Sequence, residues 1–118
     1  MGCDIHAYVE AYEDGDWEGF AHVEVRPNYA LFCVMAGVRC EERVDDESLW
    51  GTCKGFPPDV SEYVLREWKD DYDGHSRSWL SKDELRKVQS ISPDRDVEAM
   101  LAMMDVLGES RLVFWFDN

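Results

Sequence analysis

The chain has 118 residues, the usual size of one domain, so residues 1–118 are expected to form a single core. Hydrophobic residues make up 45% of the chain and aromatic residues 13%, which excludes an intrinsically disordered protein. Twelve basic and 26 acidic side chains give a net charge of −14. A chain with this charge repels phosphate backbones. Composition therefore argues against direct nucleic-acid binding unless basic residues cluster, and it permits a cation or a basic protein surface as partner.

The first part of the chain predicts a β-hairpin. Residues 3–12 alternate between apolar and polar side chains, the pattern of a strand with one apolar face, which carries Ile5 and Val9. An Asp-Gly pair within residues 13–16 predicts a tight turn. Residues 17–25 alternate again, so the two strands are expected to pair antiparallel.

Helical spacing of apolar side chains follows. A helix is predicted from Asn28 until Gly37 stops it. Residues 38–58 are acidic and rich in turn signals, and they are expected to be irregular. Asp59 and Ser61 are alternative N-caps for a second helix that reaches about residue 70.

The last third predicts two further helices and a strand. Residues 70–76 are expected to form a loop, and the Ser-Lys-Asp-Glu sequence at its far side is a capping box that opens a helix over residues 81–89. Ser92 with Pro93 is expected to open the next helix, which ends at Gly108. The β-branched and aromatic residues 111–116 predict a C-terminal strand.

These elements predict an α+β fold. The C-terminal strand would pair beside the first strand, so the hairpin and this strand form a small antiparallel sheet. Three to four helices would pack on one face of that sheet. The sequence shows no repeat and no linker, in keeping with one domain.

Location and redox state are also predicted. No run of about 18 apolar residues is present, which argues against a membrane-spanning helix. The N-terminus lacks a basic region followed by an apolar stretch, so we expect a cytoplasmic protein. Its four cysteines form no C-x-x-C pair and are expected to be reduced, buried thiols.

Two polar groups of residues could form a site. Asp4 and His6 lie two residues apart on the first strand, so both side chains leave one face, about 7 Å apart. Asp73, His75 and Ser76 lie in the predicted loop between helices, where functional residues are often found. The alternative interpretation is a polar outer face of the strand and a solvated turn in the loop.

Arginine and aromatic residues could complete such a site. Arg26 and Arg39 are scarce positive charges that could bind phosphate or carboxylate, or could simply pair with surface acids. Tyr29 or Trp79 could form a stacking wall for a planar ligand.

Four sequence blocks together resemble a family of small, mostly uncharacterised bacteriophage proteins. The blocks are MGCDIH at the start, RPNYALFxxMAGVR from Arg26, GFPPDVS from Gly55 and DGHSRSWLSxxEL from Asp73. The resemblance covers residues 1 to about 85. It implies a phage accessory protein that acts in the bacterial host cytoplasm and counters a host defence.

Three functions are compatible with these residues. The first is a module that binds and sequesters a small nucleotide-like defence signal; its ligand-binding residues would be Asp4, His6, Arg26, Tyr29, Arg39, His75, Ser76 and Trp79. The second is a hydrolase that uses zinc or manganese; its metal ligands would be Asp4, His6, Asp73 and His75. The third is an acidic protein that mimics nucleic acid and binds a basic host protein.

The first two functions require the predicted groups to meet. We therefore expect His75 to lie within reach of Asp4 and His6, directly or through one ion or water. The sequence is also compatible with a homo-oligomer.

Overall fold

The computed structural model describes residues 2–118. Four strands and four α-helices make up the fold, together with a short 3-10 turn at Glu47–Leu49. In chain order they are β1 (Asp4–Glu13), β2 (Asp16–Val23), α1 (Tyr29–Ala36), α2 (Glu62–Lys69), β3 (His75–Ser81), α3 (Lys82–Ile91), α4 (Arg95–Leu107) and β4 (Ser110–Asp117).

The strands form one antiparallel sheet in the order β2-β1-β4-β3. Strand β4 pairs with β1 along its whole length, from Asp4 opposite Asp117 to Ala11 opposite Ser110. The predicted hairpin and the predicted pairing of the first and last strands are therefore confirmed. Both central strands are flanked on two sides, which explains why β4 is buried almost throughout.

Three helices pack on the face of the sheet that carries Ile5, Val9 and Phe114. The apolar stripes of α1, α3 and α4 meet this face, and Leu85 and Met100 are fully buried there. The predicted α+β class, with a small antiparallel sheet and three helices on one face, is confirmed.

Helix α2 covers the opposite face, which the sequence suggested would be polar. Val64 of α2 packs with Tyr8, Val113 and Trp115 in a second, smaller core. Polar residues on this face are therefore enclosed, and Glu10 is fully buried. The site described below lies at the edge of this second core.

Strand β3 corrects the sequence prediction, which placed a loop over residues 70–76 and no element between that loop and the helix at residue 81. Ser78 lies opposite Phe114 and Leu80 opposite Leu112, so β3 completes the sheet beside β4. Only two of its seven residues are large and apolar, which left no visible strand pattern. Pairing with a buried neighbour overrides this weak local preference.

The helix ends are mostly where the sequence places them. Asn28 and Gly37 cap α1, Ser61 caps α2, and Ser81 opens α3 with a complete capping box. The start of α4 was predicted two residues too early. Its N-cap is Asp94, whose carboxylate accepts the backbone N–H groups of residues 96 and 97.

The expectation of four reduced, buried thiols is wrong for three of the cysteines. Cys33 and Cys40 form a disulfide across the chain reversal that follows α1, where their Cα atoms are 4.9 Å apart. Cys53 is exposed, and only Cys3 is a buried free thiol. Among residues 2–118, no helix is long and apolar enough to cross a membrane.

Candidate functional site

One imidazole and two carboxylates converge at the end of the sheet where β1 begins. His6 Nε2 lies 2.5 Å from Asp117 Oδ2 and 3.4 Å from Asp71 Oδ2. One potential ligand atom from each of the three residues falls within 4.8 Å of the others. Among the residues that the structure describes, no other group of three His, Cys, Asp or Glu side chains meets this way.

The two central strands supply two of these residues. His6 lies on β1 directly opposite Trp115 of β4, and the two rings stack with centroids 5.5 Å apart. Asp117 lies two residues beyond Trp115, so its side chain leaves the same face of the sheet. Strand pairing therefore fixes the imidazole and this carboxylate relative to each other.

Asp71 comes from the loop after α2 and is held by Trp115. The indole Nε1–H of Trp115 donates to Asp71 Oδ2 over 2.8 Å. The second carboxylate oxygen accepts the backbone N–H of Asp73 at 3.2 Å. Hydrogen bonds of this kind orient a metal-binding side chain and raise its affinity for the metal.

The loop lies close to the sheet because residue 74 is glycine. A Cβ at Gly74 would come within 2.6 Å of the Trp68 ring and 3.1 Å of the Trp115 ring. The Gly74 backbone N–H also donates to the carbonyl oxygen of Asp71. The glycine therefore allows the close approach that places Asp71 beside His6.

The chemistry of the three groups suits a divalent cation. A ligand set of one nitrogen and two oxygens is compatible with zinc or manganese. The side chains of His6, Asp71 and Asp117 are 30%, 19% and 24% exposed, so solvent reaches the position between them. Without a metal, the His6 imidazole lies between the carboxylates of Asp71 and Asp117.

The structure does not bring His75 to this cluster. His75 lies on β3 opposite Phe116, stacks on that ring, and so belongs to the face of the sheet that carries Ile5. A bulge follows His75, with Ser76 at a φ of 58°. The expected contact of His75 with Asp4 and His6 is therefore wrong. Of the predicted metal ligands Asp4, His6, Asp73 and His75, only His6 belongs to the cluster.

Three of the predicted ligand-binding residues lie near one another at a different place: Arg39 contacts Tyr29 directly and His75 through Asn118. Asn118 Oδ1 lies 3.4 Å from a guanidinium nitrogen of Arg39 and 3.3 Å from His75 Nε2. The Arg39 guanidinium lies 5.2 Å from the centre of the Tyr29 ring. The Tyr29 hydroxyl in turn accepts the backbone N–H of Cys3, and burial raises the pKa of the Cys3 thiol.

The remaining predicted residues lie elsewhere. Arg26 binds Asp96, its guanidinium at 3.5 Å and its backbone N–H at 2.9 Å, as the surface-pair interpretation anticipated. Ser76 shares a hydrogen bond with His75 Nδ1. Trp79 lies far along β3, beneath the Lys54 ammonium group.

Sequence reasoning missed Asp71 and Asp117 as site residues. Asp117 has the same strand parity as Trp115, opposite to the core residues Phe114 and Phe116, and this parity was visible in the sequence. No comparable signal singled out Asp71, because it is one of three aspartates between residues 70 and 73.

Comparison of the chain with protein-family models, with curated proteins and with solved structures found no match in any of the three. The functional proposal therefore depends on the geometry of the site.

Proposed function

We propose that the protein binds a divalent cation at His6, Asp71 and Asp117 and uses it to capture a small, phosphate-bearing, nucleotide-like ligand. The observation that carries this proposal is the convergence of one imidazole and two carboxylates within 4.8 Å. In keeping with the phage resemblance, such capture would remove a host defence signal in the bacterial cytoplasm.

The charge of the chain explains why a metal would be needed. At a net charge of −14 the protein repels phosphate groups, and the two carboxylates of the site add to this repulsion locally. A divalent cation between Asp71 and Asp117 would reverse the local sign. Three protein ligands also leave coordination positions open, which phosphate oxygens can fill.

Metal binding is tested by calorimetric titration of EDTA-treated, dialysed protein with manganese or zinc chloride. Asp117→Asn and Asp71→Asn should each weaken binding about tenfold or more, since each removes one charged ligand. Asp4→Asn is the matched control, because Asp4 is an exposed carboxylate opposite Asp117 that lies outside the cluster. An equal loss in Asp4→Asn, or no loss in the other two variants, would contradict the assigned ligands.

Ligand capture is tested with a panel of cyclic nucleotides and ADP-ribose-type compounds. Heat should appear only when manganese or zinc is present, and it should disappear in Asp117→Asn. If the metal binds but no member of the panel does, the protein is a metal-binding protein without the proposed ligand.

A metal-dependent hydrolase is the second candidate. It is favoured by the partial exposure of all three side chains, which gives water access to the metal position. A phosphodiester such as bis(p-nitrophenyl) phosphate would then release nitrophenol in the presence of manganese, and Asp117→Asn would abolish the release. Binding of nucleotides without turnover would count against this candidate.

A third candidate is an acidic protein that occupies the nucleic-acid site of a basic host protein. It is favoured by five carboxylates in the irregular segment 41–47, all of them exposed: Glu41, Glu42, Asp45, Asp46 and Glu47. Capture of a basic partner from host lysate should weaken steeply as salt rises from about 50 to 300 mM. Capture that does not depend on salt would contradict it.

A further inference from the structure

A cleft of about 460 Å³ opens at the end of the sheet opposite the proposed metal centre. Trp17 at the start of β2, Trp79 and Ser81 at the end of β3, and Arg111 at the start of β4 form its walls. Arg111 and Asp117 are six residues apart on β4, so about 20 Å separates the cleft from the metal centre. The two are distinct places on the molecule.

The walls of the cleft alternate between aromatic rings and cations. The Arg111 guanidinium lies 3.9 Å from the centre of the Trp17 ring and 5.9 Å from that of Trp79. The Lys54 ammonium nitrogen lies 3.9 Å from the Trp79 ring. Both tryptophans are only half-buried, so part of each ring stays open to a ligand.

Arg111 is a rigid part of this wall and offers little charge to a ligand. Its Nε donates to Glu10 at 2.6 Å, and one terminal nitrogen donates to Asp59 at 2.8 Å. The hydrogen bond from Arg111 lowers the pKa of the Asp59 carboxyl. The guanidinium is thus already neutralised by two carboxylates, and its role here is to hold the Trp17 ring in place.

Lys82 and Arg86, which also line the cleft, pair with exposed carboxylates rather than with a buried one; Arg86 binds Asp83, whose side chain is 92% exposed, as well as Asp105. Both contact one carboxylate, that of Asp105 on α4; the Lys82 nitrogen lies 3.7 Å from its oxygen, and Arg86 binds the same oxygen. Asp105 is half exposed, so its carboxylate can move aside. Its oxygen marks a position where two cations of this chain hold an oxyanion.

We propose that this cleft binds a nucleoside monophosphate, without a metal. The base would stack on the exposed part of the Trp79 or the Trp17 ring, and the phosphate would displace Asp105 from Lys82 and Arg86. The distribution of charge supports this ligand. Three of the chain's twelve basic residues line this one cleft, namely Lys82, Arg86 and Arg111, against two acidic residues, Asp83 and Glu109, although the net charge of the chain is −14.

The test is a titration of the EDTA-treated protein with AMP, followed by calorimetry and by quenching of tryptophan fluorescence. Saturable binding is expected, and ribose 5-phosphate should bind about tenfold or more weakly because it lacks a base to stack. Trp79→Leu should weaken AMP binding by a similar factor, and Lys82→Met about tenfold through loss of a charged contact.

Matched controls keep the result interpretable. Lys87→Met removes a neighbouring α3 lysine that does not line this cleft, and Trp50→Leu removes a tryptophan from elsewhere; both should bind AMP normally. If Trp79→Leu fails to fold, Lys82→Met combined with Arg86→Met carries the test, since neither side chain is part of the core.

Three results would overturn the proposal: no saturable AMP binding in EDTA, unchanged binding in the Lys82→Met and Arg86→Met double variant, or equal binding of AMP and ribose 5-phosphate. AMP binding that requires manganese and is lost in Asp117→Asn would assign the nucleotide to the metal centre instead. Conversely, metal-free AMP binding that survives Asp117→Asn would support this cleft even if no metal binds.

Discussion

Glu10 and Arg111 form a buried ion pair between the two central strands, with 2.6 Å between Glu10 Oε1 and Arg111 Nε. Each partner makes further hydrogen bonds. The second oxygen of Glu10 accepts the backbone N–H of Ser61, and Arg111 also donates to the side chain and the carbonyl of Asp59. The pair therefore connects β1 and β4 to the start of α2.

Breaking this pair should be costly. Arg111→Met would leave the Glu10 carboxylate buried without a cation, which typically lowers the free energy of unfolding by about 3–5 kcal/mol. Urea unfolding followed by circular dichroism measures the change. Glu10→Leu combined with Arg111→Met should recover part of the loss, since no unpaired charge is then buried.

A surface pair provides the control. Arg86→Met breaks contacts with Asp83 and Asp105, whose side chains are largely exposed, and should cost less than about 1 kcal/mol. Equal losses of unfolding free energy in Arg111→Met and Arg86→Met would show that the buried pair stabilises the protein no more than a surface pair does.

The disulfide is expected to stabilise the turn that follows α1. Cys33 and Cys40 close a loop of about eight residues, for which chain entropy predicts about 2–3 kcal/mol of stabilisation. The double variant Cys33→Ala, Cys40→Ala should lower the free energy of unfolding by this amount, and a reducing agent should do the same to the wild-type protein. Cys53→Ala, at an exposed free thiol, should have no such effect. Insensitivity of the wild-type protein to reductant would argue against the bond.

The sequence predicted best those features whose signals lie within a few residues of one another. Caps such as Asn28 and Ser81 act within one helical turn, and both were predicted correctly. Strand β3 was not predicted, because only two of its seven residues are large and apolar and its strand conformation depends on pairing with β4.

The candidate site shows the same limit. His6 was predicted from the alternation of β1, which is a local pattern. Its partners come from distant parts of the chain: Asp117 is placed by the pairing of β4 with β1, and Asp71 by a loop that Trp115 holds. Glu10 was placed on the correct face, but its burial depends on α2, some fifty residues away.

Gly74 controls how closely the loop with Asp71 approaches the sheet. Gly74→Ala would place a methyl group against the rings of Trp68 and Trp115, so the loop must move outwards. Metal affinity in the manganese titration should fall because Asp71 moves with the loop. Tyr72→Ala is the control, since Tyr72 is 97% exposed in the same loop. Unchanged metal affinity in Gly74→Ala, with the fold intact, would exclude Asp71 as a precisely positioned ligand.

Tyr8 makes stability depend on alkaline pH. Burial, with a smaller contribution from the negative charge of Glu67, raises the pKa of Tyr8 to about 12. An unfolded tyrosine loses its proton near pH 10. Between about pH 10 and 12 the unfolded chain therefore binds fewer protons than the folded protein, and the free energy of unfolding falls as pH rises. The stabilising contribution is complete below pH 10 and is lost through pH 12, at about 1.4 kcal/mol per pH unit.

Tyr8→Phe removes the ionisable hydroxyl, so the free energy of unfolding should depend less on pH between about pH 10 and 12. Urea unfolding at about pH 9, 10, 11 and 12 should show the wild-type protein losing about 2–3 kcal/mol more than Tyr8→Phe over this range. Tyr72→Phe, at an exposed position, should follow the wild-type profile. Parallel profiles for wild type and Tyr8→Phe would mean that the second core does not enclose the Tyr8 hydroxyl, and that α2 packs less tightly on β1 than described.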